Sequence, residues 1–198
     1  MKSLSIQILE ETNGLSEGVP ISAKALLHLG NRAAVDQALS RLARRGKLLR
    51  ARRGTYLRPV ESRFGERAPA VKKVVEEAQA RSGEIIVSSG AAAANQLGLT
   101  TQVPVRQVYL TSGPSREFRL GKQVVEFRHA PRWQLTLAYR PAGTVVRALA
   151  WVGPNAAKQA LRSVSQKLTS EEIRELKSAA GSLPTWLAKP VSELVLHA

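Results

Sequence analysis

Between Asn31 and Gly46 the apolar residues Val35, Ala38, Leu39 and Leu42 return at the three- and four-residue steps of a helix. At about 100° per residue, Leu39 and Leu42 fall within roughly 40° of Val35, while Ala33, Gln37, Ser40, Arg41 and Arg44 fall on the far side. Asn31 suits the cap of this helix and Gly46 its stop. Upstream, Ile6, Ile8 and Leu9 predict a short first helix ended by Asn13-Gly14, and Ser22 caps another, AKALLHL, that Gly30 closes. Two helices separated by one glycine and one cap residue make a tight helix-turn-helix. KLLRA and TYLRP then flank Arg52-Arg53-Gly54, a hairpin signal with glycine where the turn needs a positive φ. Helix, turn, helix and hairpin in this order predict a winged helix-turn-helix over residues 1–60.

The stretch from Pro59 to Pro69 is charged, with a single glycine between the two prolines, and predicts a linker over 61–67. Pro69 leads into a helix, VKKVVEEAQAR, that stops at Ser82-Gly83. EIIVS then reads as a buried strand and SGAAAANQLGL as a small-residue helix. VRQVYLT, REFRL and QVVEFRH are short strands with turns at Ser112 to Ser115 and at Gly121-Lys122. Helices follow over Pro141–Trp151 and Asn155–Leu168, then from the T-x-x-E capping box of Thr169 and Glu172, and over Pro184–Val195. The expected class is therefore α+β: the winged helix-turn-helix, then a mixed α/β domain over 68–198 with a short-stranded sheet and C-terminal helices. There is no internal repeat or low-complexity tract.

Hydrophobic residues make up 43% and charged residues 23% of the 198, which is ordinary for a folded chain and argues against disorder. The net charge of +15 is not ordinary, and it points to a polyanionic partner, nucleic acid first and an anionic membrane surface second. No apolar run reaches the roughly 18 to 20 residues that span a bilayer, and two glutamates interrupt the first 14 residues where a signal peptide needs an apolar stretch. A cytoplasmic protein with no membrane partner is expected. With no cysteine there is neither a disulfide nor a thiolate metal site.

Charge is concentrated where the winged helix is expected. Residues 31–58 hold nine Lys or Arg against Asp36 alone, a net +8 of the total +15. On the exposed side of the helix from Asn31 to Arg45, Arg32, Gln37, Ser40 and Arg41 are candidates for base edges, because Arg pairs bidentately with guanine and Gln with adenine. Arg44, Arg45, Lys47, Arg50, Arg52 and Arg53 are candidates for phosphates, with the hairpin tip suited to the minor groove. Tyr56 either packs the hairpin or donates to a phosphate. Cations at a helix C-terminus are favoured by its dipole, which would explain Arg44 and Arg45 but not Lys47 through Arg58. Aromatics are only 5% of the chain and do not interleave with the arginines, so a single-strand stacking platform is disfavoured.

Catalytic patterns are sparse. Asp36 is the one aspartate, and it lies inside the expected recognition helix. Glu126-x-Arg128 resembles the end of a nuclease strand motif, with no upstream aspartate to complete it. His28, His129 and His197 lack metal-ligand spacing, and each is expected at the surface or packed. Ser88-Ser89-Gly90 suits a helix cap better than an anion site, no phosphate-binding glycine loop is present, and Trp133, Trp151 and Trp186 are expected in the core. No enzyme activity, cofactor or metal is expected. A binding protein for double-stranded DNA is the first reading, and an RNA-binding accessory protein or a degenerate nuclease-like protein are the alternatives.

The stretches NRAAVDQALSRLARRGKLLRARRGTYLRP, SSGAAAANQLGLTTQVP, LTSGPSREFRLG and LPTWLA, in this order, resemble the AbiEi-like antitoxins of bacterial type IV toxin-antitoxin pairs. The first is a winged-helix pattern shared with other regulators, and the second and third carry more of the likeness. The resemblance implies a repressor that binds the operator of its own operon, with a nucleotidyltransferase-like toxin encoded next door as functional partner. It leaves open the operator sequence, the oligomeric state and the residues that carry antitoxicity.

Overall fold

A computed structural model describes residues 2–195 and shows a mixed α+β chain in two compact units, one of Met1–Glu84 with Glu117–Val125 and the other of Ile85–Arg116 with Glu126–Ala198. The candidate His197 lies outside the described residues.

In the first unit, α1 (Leu4–Asn13) and α2 (Arg32–Arg44) bury one side each. Ile8, Leu26, Val35, Ala38, Leu39, Leu42 and Leu48 form a common core with Ile21, Ala23 and Tyr56. The Asn31 side chain accepts from the Ala34 N–H at 2.9 Å, the cap expected of it. Gly46 ends α2 with a φ of +74°, and the Lys47 N–H reaches back to the Leu42 carbonyl at 3.0 Å in the manner of a Schellman closure.

Between these helices the expected AKALLHL helix is instead a 3-10 turn, Ala23–Leu26. Its apolar contacts explain the difference: Ala23 and Leu26 are buried while Lys24, Ala25, Leu27 and His28 are exposed. One anchor every three residues suits a 3-10 turn, and seven residues are too few to sustain an α-helix without a continuous buried face.

Strand β1 (Leu49–Arg52) pairs antiparallel with β2 (Thr55–Leu57). An irregularity between Arg50 and Arg52 leaves Ala51 buried and the two arginines exposed. Gly54 makes the turn with a φ of +71°. Ile21 bridges Tyr56 through two backbone hydrogen bonds of 2.8 Å, so the segment before the 3-10 turn lies alongside the hairpin.

The expected linker over 61–67 is a second hairpin, with β3 (Val60–Ser62) paired to β4 (Gly65–Arg67). Gly65, at φ +100°, permits its turn, and the Ser62 hydroxyl donates to the Gly65 carbonyl at 2.7 Å. α3 (Val71–Ser82) follows, within the first unit rather than the second. Two contacts hold α3 to the N-terminal residues. The Glu17 carboxylate accepts from the Ala70 N–H at 2.7 Å and from Arg67 at 3.0 Å, which holds its pKa below the usual carboxylate value. An anion at this position also complements the N-terminal end of the helix dipole. Next to it Gly18, at φ +89°, passes so close to α3 that a Cβ would sit 2.7 Å from the Lys73 carbonyl carbon.

Strands β5 (Ile86–Ser88), β6 (Gln107–Thr111), β7 (Arg116–Leu120) and β8 (Gln123–His129) form one sheet in the order β5-β6-β8-β7. α4 (Gly90–Gln96) is capped by Ser89, whose side chain accepts from the Ala92 N–H. α5 (Pro141–Val152) is the hub of the helices of the second unit, with α6 (Pro154–Ser165), α7 (Ser170–Ala179) and α8 (Thr185–Ser192) around Val145, Val146, Leu149, Leu161, Leu176 and Leu187. The capping box of Thr169 and Glu172 opens α7 as expected. No helix among the described residues is long and apolar enough to cross a membrane.

The approach of Gly18 to α3 gives a direct test. Gly18→Ala should lower unfolding stability by at least about 1 to 3 kcal/mol in denaturant titrations, because it adds both a clash and a left-handed alanine. Gly14→Ala, where a Cβ meets nothing within 4 Å, is the matched control and should change little.

Candidate nucleic-acid interface

The buried stripe of α2 fixes what its other side presents. Val35, Ala38 and Leu39 have no exposed surface and Leu42 almost none, so Arg32, Gln37, Arg41 and Arg44 are turned outward and exposed. Arg32 is held by Asp36 at 2.8 Å, an i,i+4 pair that settles the chain's one aspartate as a surface partner within the helix. Arg45 and Lys47 emerge, exposed, on either side of Gly46. Among the described residues, none of Arg41, Arg44, Arg45, Lys47, Arg50 and Arg53 belongs to an ion pair. Uncompensated cations this dense repel one another, and a polyanion relieves that repulsion.

Two of the expected contact residues are structural. Tyr56 is 3% exposed, and its hydroxyl sits 3.1 Å from the Ser40 hydroxyl, which is itself half-buried. Tyr56 therefore packs the hairpin rather than reaching a phosphate, and Ser40 fastens β2 to α2 instead of offering its hydroxyl to a base. The wheel had placed Ser40 on the outer side. It lies at the edge of the buried stripe, where a large neighbour from the hairpin covers it. Gln37 and Arg44 stand one turn to either side of Ser40, so the same bond brings the hairpin beside the outward face of the helix.

The hairpin carries its cations in three ways. Arg50 and Arg52 alternate with buried Ala51 and so share the solvent side of β1. The Arg52 guanidinium donates to the Thr55 hydroxyl at 3.1 Å and lies 5.5 Å from the centre of the Phe118 ring, which fixes its position through a cation–π contact. Arg53, at the turn, is exposed. Arg58 differs from these, since its guanidinium donates to the Asn13 carbonyl and so ties the end of β2 to the end of α1.

Sequence reasoning missed the tip of the β7–β8 hairpin. Residues 117–125 belong to the first unit, and Glu117 and Arg119 line, with Arg50, Arg52 and Arg53, a depression of about 300 Å³. Arg119 is exposed and Phe118 buried. The alternation Arg116, Phe118, Leu120 against Glu117 and Arg119 was readable as a strand with one wet face. Nothing in the local pattern told which unit that face would join.

The remaining candidates fall elsewhere. Glu126 and Arg128 pair at 2.9 Å on β8, a strand-surface ion pair of the kind that competes with any nuclease role. His28 lies 3.7 Å from Glu11, and the His129 Nδ1 is 2.9 Å from the Gly113 carbonyl. No group of three or more His, Cys, Asp or Glu among the described residues could hold a metal ion. Trp133 and Trp186 meet edge to face at 6.1 Å against the helical core, but Trp151, expected with them, is 45% exposed because it stands at the last turn of α5 off the buried stripe.

A family model described as a family of unknown function, DUF6088, matches residues 7–176, and the chain belongs to that family. No curated protein and no solved structure matches the chain.

If Ser40 and Tyr56 fasten the hairpin to α2, their effects on stability should be coupled. Ser40→Ala and Tyr56→Phe should each cost about 0.5 to 1.5 kcal/mol, and the double variant no more than the larger single loss. Additive losses in a double-mutant cycle would mean that the hydroxyls act separately.

Proposed function

We propose that this member of the DUF6088 family is a transcriptional regulator that binds double-stranded DNA through a winged helix-turn-helix, with α2 as recognition helix and the β1–β2 hairpin as wing. The observation that carries this reading is the division of α2: a fully buried apolar stripe opposite an exposed face of Arg41, Arg44 and Gln37, continued by exposed Lys47, Arg50 and Arg53. An α-helix fits the major groove, and Arg and Gln are the side chains that make bidentate contacts to guanine and adenine there. The cations past the helix end suit phosphates, which set register and supply most of the affinity. Arg52, braced by Phe118 and Thr55, is preorganised for such a contact. Arg119 extends the basic surface beyond the residues that the sequence singled out.

On this reading the chain is a binding protein and not an enzyme, and it needs no cofactor. The antitoxin role rests on the four stretches that resemble AbiEi-like antitoxins. It makes the operator of its own operon the DNA target and a neighbouring nucleotidyltransferase-like toxin the functional partner. An RNA-binding role draws on the same basic face. A groove-reading helix favours duplex DNA over it, because the major groove of A-form RNA is too narrow for side chains to read.

The two classes of contact separate in binding measurements. With duplex DNA from upstream of the reading frame, replacing Arg50 and Arg53 by alanine should weaken binding to all sequences. The slope of log K against log salt should fall by about 0.9 per lost phosphate contact. Replacing Gln37 or Arg41 should cost about 1 to 3 kcal/mol on the preferred site and little on unrelated DNA. Equal losses on both kinds of DNA would remove α2 from the role of reader.

A further inference from the structure

α5 is buried nearly all round, with Ala142, Val145, Val146, Ala148 and Leu149 fully inside, yet its midpoint is an arginine. Arg147 is 3% exposed. One Nη donates to the Ala138 carbonyl at 3.3 Å and the other to the Thr144 hydroxyl at 3.1 Å, while Nε is buried with no partner. Among the described residues no carboxylate pairs with it. Burial pulls its pKa down to about 10, so it remains a cation at neutral pH. A buried guanidinium without a counter-charge carries a desolvation penalty that no ion pair offsets. A methionine would fill the same space without that cost, so packing alone does not account for an arginine here.

Arg147 lines a cleft of about 400 Å³ in the second unit, together with Ser89, Arg128, His129, Gln134 and Trp151. No residue that lines it carries a carboxylate. Arg128 spends Nε and one Nη on Glu126 and keeps its other Nη. The His129 Nδ1–H donates to the Gly113 carbonyl, so Nε2 of the neutral ring is an acceptor that suits a protonated oxygen of a ligand. The Ser89 hydroxyl and the Gln134 amide add neutral donors. The buried charge of Arg147 with its unpartnered Nε, the remaining Nη of Arg128 and the two neutral donors line one space with no carboxylate among them, which favours an anion. They suit a dianion with three terminal oxygens.

We propose that this cleft binds a phosphate monoester, with Arg147 as the buried counter-charge and Arg128 at its mouth. Trp151, exposed beside it, offers an apolar wall to whatever group carries the phosphate. The site stands apart from the DNA-binding reading, and neither depends on the other.

The test is calorimetric titration of the full-length protein with inorganic phosphate and with AMP, in chloride buffer at matched ionic strength. A single saturable site is expected, weakened at least about tenfold by Arg147→Met and by Arg128→Gln, and unchanged when Arg50 and Arg53 are replaced by alanine. Arg147→Met should also leave the phosphate-free protein as stable as the wild type or more so, a result that a purely structural arginine would not give. AMP binding tighter than phosphate would mean that the cleft also holds the nucleoside, and equal binding that it holds the oxyanion alone. Should Arg147→Met fail to fold, Arg128→Gln decides by itself, since its side chain is exposed. No saturable binding, binding untouched by these variants, or binding lost with Arg50 and Arg53 would overturn the proposal.

Discussion

Burial of one stripe on one helix orders the first unit. Val35, Ala38, Leu39 and Leu42 each leave water almost completely, and burying a side chain of the size of Val or Leu is worth about 1.5 to 3 kcal/mol. Exposed ion pairs contribute about 0 to 1 kcal/mol each, so the cations cannot choose the rotation of α2 against that pull. They take whatever face the stripe leaves. That face is then continued by the hairpin because Tyr56 is anchored twice, through its backbone to Ile21 and through its hydroxyl to Ser40.

The second unit is held by close backbone approach. A Cβ at Gly90 would sit 2.6 Å from the Arg147 carbonyl oxygen, and one at Gly143 only 2.0 Å from that of Leu137. Leu137 itself adopts φ +54°. These contacts draw α4 and the segment before α5 onto the surface of α5, and so surround its midpoint. An arginine there loses water without gaining a carboxylate. The same packing that makes α5 a hub therefore creates the one buried cation of the described residues.

Much of this was legible in the residues. The division of α2, its Asn31 cap and Gly46 stop, the Gly54 turn, the capping box of Thr169 and the strands around Gly121 all follow from signals carried within a few residues. What was not legible depends on partners distant in sequence. AKALLHL has helix formers throughout, but only tertiary contact decides that Ala23 and Leu26 alone are anchored. The hairpin over 60–67 has mostly exposed residues and so lacks the alternation that marks a strand. Its charge and the prolines at either end therefore point to a linker instead. The wheel puts Ser40 on the outward face because it shows one helix and not what a neighbouring strand lays over its edge, and the pattern of the hairpin leaves Tyr56 open between packing and a phosphate until its partner Ser40 is known. Arg119 and Arg147 show the same limit from the other side. One joins a basic surface built from residues nearly 70 positions earlier, and the other is a charge in a helix whose surroundings only the fold supplies.

The claim that α2 and the β1–β2 hairpin together meet duplex DNA is tested most directly by hydrogen exchange of the full-length protein, with and without the duplex from upstream of its own reading frame. The account predicts that slowed exchange concentrates in peptides covering residues 31–58, with a smaller effect over 117–120 and none over α6 to α8. Protection centred on the helices of the second unit, or no protection at salt low enough for binding, would contradict it.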